Sequence, residues 1–226
     1  MGYAQGTDLA SLQALIRRAE DQKPATPIAR AAEEICRKAC PPWLRAHCYR
    51  TYAIGVLLGS RLSFDSEKFF VVSMLHDVGL TDAFRQGSDT GLVSGYARKD
   101  EPCFAVRGAR VAQALATIHE LPPGRSDVLA QAVSLHLNVR VTRSQGVEAH
   151  LLNAASALDV IRLKSHKVPN EAIRSIEDRW PRDDSFCKDL WMAWKRESDD
   201  HGECRGAFLN TWGFFKRRIH RTCPPN

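Results

Sequence analysis

Five side chains in this chain have the types and spacing to do chemistry: His47, His76, Asp77, His136 and Asp159. The most conspicuous pair sits in "FFVVSMLHDVGLTDAF", residues 69–84. An almost wholly apolar run, Phe69 to Leu75, ends in an imidazole and a carboxylate side by side. A carboxylate carried into a core must be paired, neutralised or bound to metal. His47 opens an apolar-faced segment, His136 closes the stripe Leu129, Ala132, Val133, and Asp159 lies at the edge of the stripe Leu151, Leu152, Ala155, Leu158. Taken singly, each has an ordinary reading: a histidine on an apolar face satisfied within the core, an aspartate paired with Arg162 or a distant arginine. Taken together, two imidazoles and two carboxylates (His47, His76, Asp77, Asp159) at inward positions on three helices suit one Zn²⁺, Fe²⁺ or Mn²⁺ with water completing the sphere.

Helices must position these groups, because apolar residues recur at three and four throughout and strand signals are nearly absent. Thr26 caps a helix over 27–39, with Pro27 in its first turn, and "CPPW" ends it. Leu44 to about Arg61 is a second helix. Asp65 or Ser66 caps a third, which runs to about Val78 and stops at Gly79. Along that third helix Phe69, Val72, Ser73 and His76 share a stripe, with Asp77 about 100° further round. Helices are expected at about 104–120, 126–138 and 147–165, and again through the last sixty residues, with "RWPRDD" as a break and Trp191, Trp194, Trp212, Phe214 and Phe215 as packing residues. Residues 82–102 are polar, with three glycines and one proline, and read as a long loop, either a lid over the site or a disordered segment. The expectation is one all-α domain of about seven to nine helices.

Composition narrows the classes. The 226 residues are 44% hydrophobic and 26% charged, as in globular proteins, and no apolar run approaches a membrane span of roughly 20 residues. The first residues, "MGYAQGTDLASLQALIRRAEDQK", have no apolar core or small-residue cleavage site, and read as the start of a mature cytoplasmic protein. Seven irregularly spaced cysteines without a C-x-x-C argue against a disulfide framework and against a thiolate zinc site. The net charge is +6, and the one dense basic run, "KRRIHR" at 216–221, reads as a solvated helix end. No nucleic-acid partner and no membrane partner is expected. A small-molecule substrate is, and a homo-oligomer stays open.

The order His, His-Asp, Asp on helices resembles the HD-domain superfamily of metal-dependent hydrolases. Within it, the segments are similar to the cyanamide hydratase-like group. "TPIARAAEEICRKACPPWLRAHCYRTYAIG" resembles that group's helix, proline break and H-x-x-R, and "VVSMLHDVGLTDAF" its A-x-L-H-D-x-G-L-T segment. "CFAVRGARVAQAL" resembles its Phe-Glu-x-x-Gly-Ala helix, "AVSLHLNVRV" its A-I-x-L-H segment, and "HLLNAASALDVI" its closing aspartate helix. "WPRDDSF" is similar to its Pro-Arg-x-x-Phe stretch. The likeness runs in order over about 26–215. It implies a single HD-domain helical bundle: an N-terminal helical extension over 1–25, a metal-binding core over 44–165, and additional C-terminal helices over 166–226.

The resemblance also implies that His47, His76, Asp77 and Asp159 hold one divalent transition metal, zinc first and iron or manganese as alternatives. His136 would stand at the metal's open side and serve catalysis with Asp77. Arg50, Thr81, Phe104 and Asn138 would support the site or the substrate. Ala105 stands where the group has glutamate, and Asn138-Val139-Arg140 where it has Thr-Ser or Thr-Thr. The implied activity is addition of metal-activated water to a small nitrile such as cyanamide, giving urea. The rivals are an HD-type phosphohydrolase acting on a nucleotide and a binding module with a vestigial site.

Overall fold

The structure, a computed structural model, describes residue 17, residues 23–85, 93, 101, 103–183, 185–210 and 213–222. Most of the proposed extension over 1–25 and most of the proposed lid over 82–102 lie outside the described residues. Within the latter, Asp82–Arg85 is a helical turn, and Val93 and Glu101 are buried.

The described chain is all-α, with no strand among the described residues. In chain order the helices are α1 (Pro27–Ala39), α2 (Pro42–Leu58), α3 (Ser66–Leu75), α4 (Asp82–Arg85), α5 (Phe104–Ile118), α6 (Pro123–Leu135), α7 (Val147–Ile161), α8 (Asn170–Arg179), α9 (Phe186–Asp200), α10 (Arg205–Asn210) and α11 (Phe214–Thr222). Three short 3-10 turns lie at Val78–Leu80, Arg143–Gln145 and Ser165–Lys167. These eleven α-helices exceed the seven to nine expected, chiefly because α4 and α10 are too short to leave a periodic signal. No described helix is long and apolar enough to cross a membrane.

Local chemistry sets the ends. Thr26 Oγ1 accepts from the Ala29 amide and Asp65 Oδ1 from the Lys68 amide, so α1 and α3 begin with side-chain caps. Proline occupies the first turn of α1, α2 and α6, where its missing N–H costs nothing. Helix α3 is the hub. Every residue from Phe69 to Leu75 is buried, and the helix packs against α1, α2, α5, α6 and α7. A helix apolar all round belongs at a centre, not at a surface. Helices α7 and α8 pack on α2, while α9, α10 and α11 form a separate layer that reaches back to α2 and α7.

Helix α3 stops at Leu75, three residues before the expected end. His76 keeps helical dihedrals, but Asp77 turns to φ −111°, ψ 4°, the bridge region between helix and strand, and a 3-10 turn follows. Two glycines explain the break. A Cβ on Gly79 would lie 2.1 Å from the Phe104 carbonyl oxygen, and one on Gly108 would lie 2.9 Å from that of Leu75. Helix α5 therefore presses directly on the backbone after His76, and only glycine at both positions admits it.

Five of the described cysteines, Cys36, Cys40, Cys48, Cys103 and Cys204, are free and buried. Cys187 is disulfide-bonded, which the sequence pattern did not suggest.

Candidate metal centre

The break after α3 lets neighbouring side chains reach one point. His76 Nε2 lies 3.1 Å from His47 Nε2, contributed by α2. Asp77 Oδ2 lies 3.4 Å from each of these nitrogens. The ligand atoms of His47, His76 and Asp77 all fall within 4.8 Å of one another, and all three residues are buried. His136, at the end of α6, stands on the other side of Asp77, with its Nε2 3.3 Å from Oδ1.

The partners of the other ring nitrogens fix which way each imidazole faces. His76 Nδ1 is 2.8 Å from the Ser73 carbonyl, and His136 Nδ1 is 2.6 Å from the Val133 carbonyl. A carbonyl only accepts, so both Nδ1 atoms carry the proton and both Nε2 atoms present lone pairs. His47 Nδ1 donates in the same way to Asp159 Oδ2, at 2.7 Å. Three imidazole lone pairs and a carboxylate thus converge in a dry interior. His136 Nε2 is buried and makes no hydrogen bond. Such an arrangement is costly unless a cation or a bound ligand satisfies it, and nitrogen and oxygen donors of this kind fit a divalent transition metal.

The electrostatics agree. Burial opposes charge on His47, but the Asp159 and Asp77 carboxylates more than offset it, so its pKa is raised. Burial lowers that of His76. Asp77 is buried too, yet its imidazole neighbours His76, His136 and His47 hold its carboxyl well below the ordinary range. Among the described residues, no Lys or Arg side chain forms an ion pair with Asp77, and these three imidazoles lie within 3.3–3.4 Å of its oxygens.

Asp159, expected beside the other donors, stands one imidazole further out. Its two oxygens accept from Arg50 Nε at 2.8 Å and Nη2 at 3.0 Å, and Oδ2 also accepts from His47. Burial would raise its pKa, but Arg50 and His47 drive it strongly down. A carboxylate behind a histidine fixes the ring's tautomer and orientation. Arg50 is fully buried. It also donates to the carbonyls of Trp180 and Pro181, and so ties the "WPR" break to α2. Its guanidinium carbon lies 4.8 Å from the Phe186 ring centroid, and that of Arg182 lies 4.6 Å from it.

The remaining expected residues divide. Phe104 meets the His136 ring edge to face, with centroids 5.7 Å apart. Thr81 Oγ1 donates to the Val78 carbonyl and secures the 3-10 turn after Asp77. Asn138 lines the adjoining cavity, and its side-chain oxygen accepts from Arg205. Ala105 is buried. Arg107, a basic residue close to the His-Asp segment, is buried and committed to Gly79 O, Glu101 O and Glu197.

Sequence reasoning missed Asn153, whose amide nitrogen donates at 2.8 Å to the carbonyls of both His136 and Asn138 and so holds the end of α6 against α7. Arg182 and Phe186 were singled out only within the "WPRDDSF" stretch, without the position behind the site that the structure gives them. The only signal for Asn153 was an amide among the alanines of "LLNAASALD". No known protein-family model matches the chain, and no curated protein does.

Proposed function

We propose that this protein is an HD-type metal-dependent hydratase that adds water to the carbon of a nitrile, with cyanamide to urea as the simplest case. The observation that carries the reading is the buried convergence of His47 Nε2, His76 Nε2 and Asp77, with the unpartnered His136 Nε2 beside it. His47, His76 and Asp77 would hold one divalent transition metal, zinc first with iron or manganese as alternatives, and its chemistry there would be to lower the pKa of water from ~15.7 toward ~7 so that a nucleophile is available at neutral pH. Asp159 and Arg50 act through His47: they hold its proton on Nδ1 and its lone pair inward. Asp77 holds its Oδ1 toward His136 and its Oδ2 toward the other two imidazoles.

His136 moves the proton. Its Nδ1–H is fixed on the Val133 carbonyl, so Nε2 takes up the proton that water loses as its oxygen bonds to the nitrile carbon. The same Nε2 returns that proton to the nitrile nitrogen. The imidic acid formed tautomerises to the amide, so nitrile and water give amide with nothing left over.

The phosphohydrolase alternative requires cations around the transferring oxygens. Among the described residues lining the cavity beside the centre, Lys164 is the one cationic side chain, and it is exposed. Arg98 and Lys99 lie outside the described residues. The test compares amide or urea release from a nitrile panel with phosphate release from a nucleotide panel on one metal-loaded sample. Nitrile turnover that falls in His136→Ala while the metal stays bound supports the reading. Nucleotide turnover without nitrile turnover overturns it.

A further inference from the structure

A cavity of about 610 Å³ opens directly from His47, Asp77 and His136. Liquid water takes about 30 Å³ per molecule, so a molecule the size of cyanamide would fill roughly one seventh of that space. The walls are apolar. Val160 and Ile161 come from α7, Leu190 and Trp194 from α9, and Phe215 from α11. Trp194 and Phe215 stack on one another with centroids 3.8 Å apart.

The buried polar groups gather at one end. Of the polar side chains on the wall, the Asn153 amide nitrogen is spent on two carbonyls, Asn138 Oδ1 accepts from Arg205, Ser156 Oγ faces the Asn153 carbonyl, and Lys164 is exposed at the rim. His136 Nε2, at the metal end, is buried without a hydrogen bond. The rim tells the same story. Five large hydrophobic residues are exposed among those described, and three of them, Val139 at 78%, Phe208 at 67% and Leu163 at 37%, border this cavity. Exposed apolar groups scattered singly need no explanation, but a collar of them around one opening does.

The geometry points to a substrate with a bulky apolar body, aromatic or branched aliphatic, whose reactive group alone reaches His47, Asp77 and His136. The identity of that reactive group rests on the reading above, but the apolar body does not. A pocket of this volume with mostly apolar walls and a few convergent polar groups suits a molecule of many heavy atoms. Cyanamide would leave nearly all of it to water against apolar walls.

The test uses the metal-loaded protein and two probes, para-phenylbenzonitrile and cyanamide, by titration calorimetry. The aryl nitrile is expected to bind about tenfold more tightly or better. Ala157→Phe, which fills the cavity from α7, should weaken aryl binding by about tenfold or more with metal content unchanged by elemental analysis. If that variant does not fold, Phe208→Ser at the exposed rim should weaken aryl binding in its place. Equal affinity for the two probes, or aryl binding indifferent to the folded variants, overturns the inference. Tight aryl binding without hydration upholds it and counts against nitrile hydration instead.

Discussion

The two ends of the cavity are built on opposite plans. The metal end comes from α2, α3 and α6, braced by α7, and consists of buried polar groups held mostly by directed bonds. The apolar end comes from α7 and the segments beside it together with α9, α10 and α11, and its side chains include the exposed Phe208 and make few directed bonds. Directed bonds fix atoms to tenths of an ångström, as positioning a nucleophile requires. Apolar walls fix only shape and wetness. Changes at the first end should therefore act on metal and stability, and changes at the second on which molecule is bound.

The largest effect is expected from the donors themselves. His76→Ala with Asp77→Ala should abolish metal binding in elemental analysis, whereas Ala157→Phe should retain it. Chelation should lower the thermal midpoint of the wild type and leave that of the double variant unmoved, because a metal at 1,000 times its Kd stabilises the fold by about 4 kcal/mol. Metal-independent midpoints in the wild type would erase the distinction between the two ends.

Next comes the brace. Arg50→Leu strands the Asp159 carboxylate in the core, and denaturant unfolding should show a loss of about 3–5 kcal/mol. Adding Asp159→Asn removes the stranded charge and should return part of it. A loss below about 1 kcal/mol would mean that the pair is solvated, as exposed pairs are.

The contact between α5 and the turn after Asp77 follows. Gly79→Ala places a methyl group against the Phe104 carbonyl and should cost about 1–3 kcal/mol of stability. It should also weaken metal binding, since the same turn sets Asp77. The smallest effect belongs to the rim: Phe208→Ser should change stability by no more than about 0.5 kcal/mol, with its signature confined to aryl-nitrile affinity in calorimetry. A rim substitution that unfolded the protein would show that α10 is structural and not a wall for substrate.

Much of the metal end was legible from the chain alone. The period of three and four set the helices, and caps and prolines set most of their boundaries. The inward phase of His47, His76 and His136 followed from stripes that can face only one way. Asp77 was legible as a donor beside His76, but not how both reach one point, because two adjacent residues on a continuous helix diverge. Their convergence depends on α5 pressing Gly79 out of the helix, a contact between segments far apart in sequence. Asp159 shows the same limit: sequence placed it on the inner face, and tertiary packing decided that Arg50 and His47 would take both its oxygens. The apolar end was the least legible. Trp194 and Phe215 read simply as packing residues, since a local pattern records that a side chain is apolar but not whether the space beside it is filled. Periodicity and capping are local properties and travel with the sequence. The cavity, the direction of each lone pair and the shell around His47 arise where helices from opposite ends of the chain meet, and only the packed fold determines them.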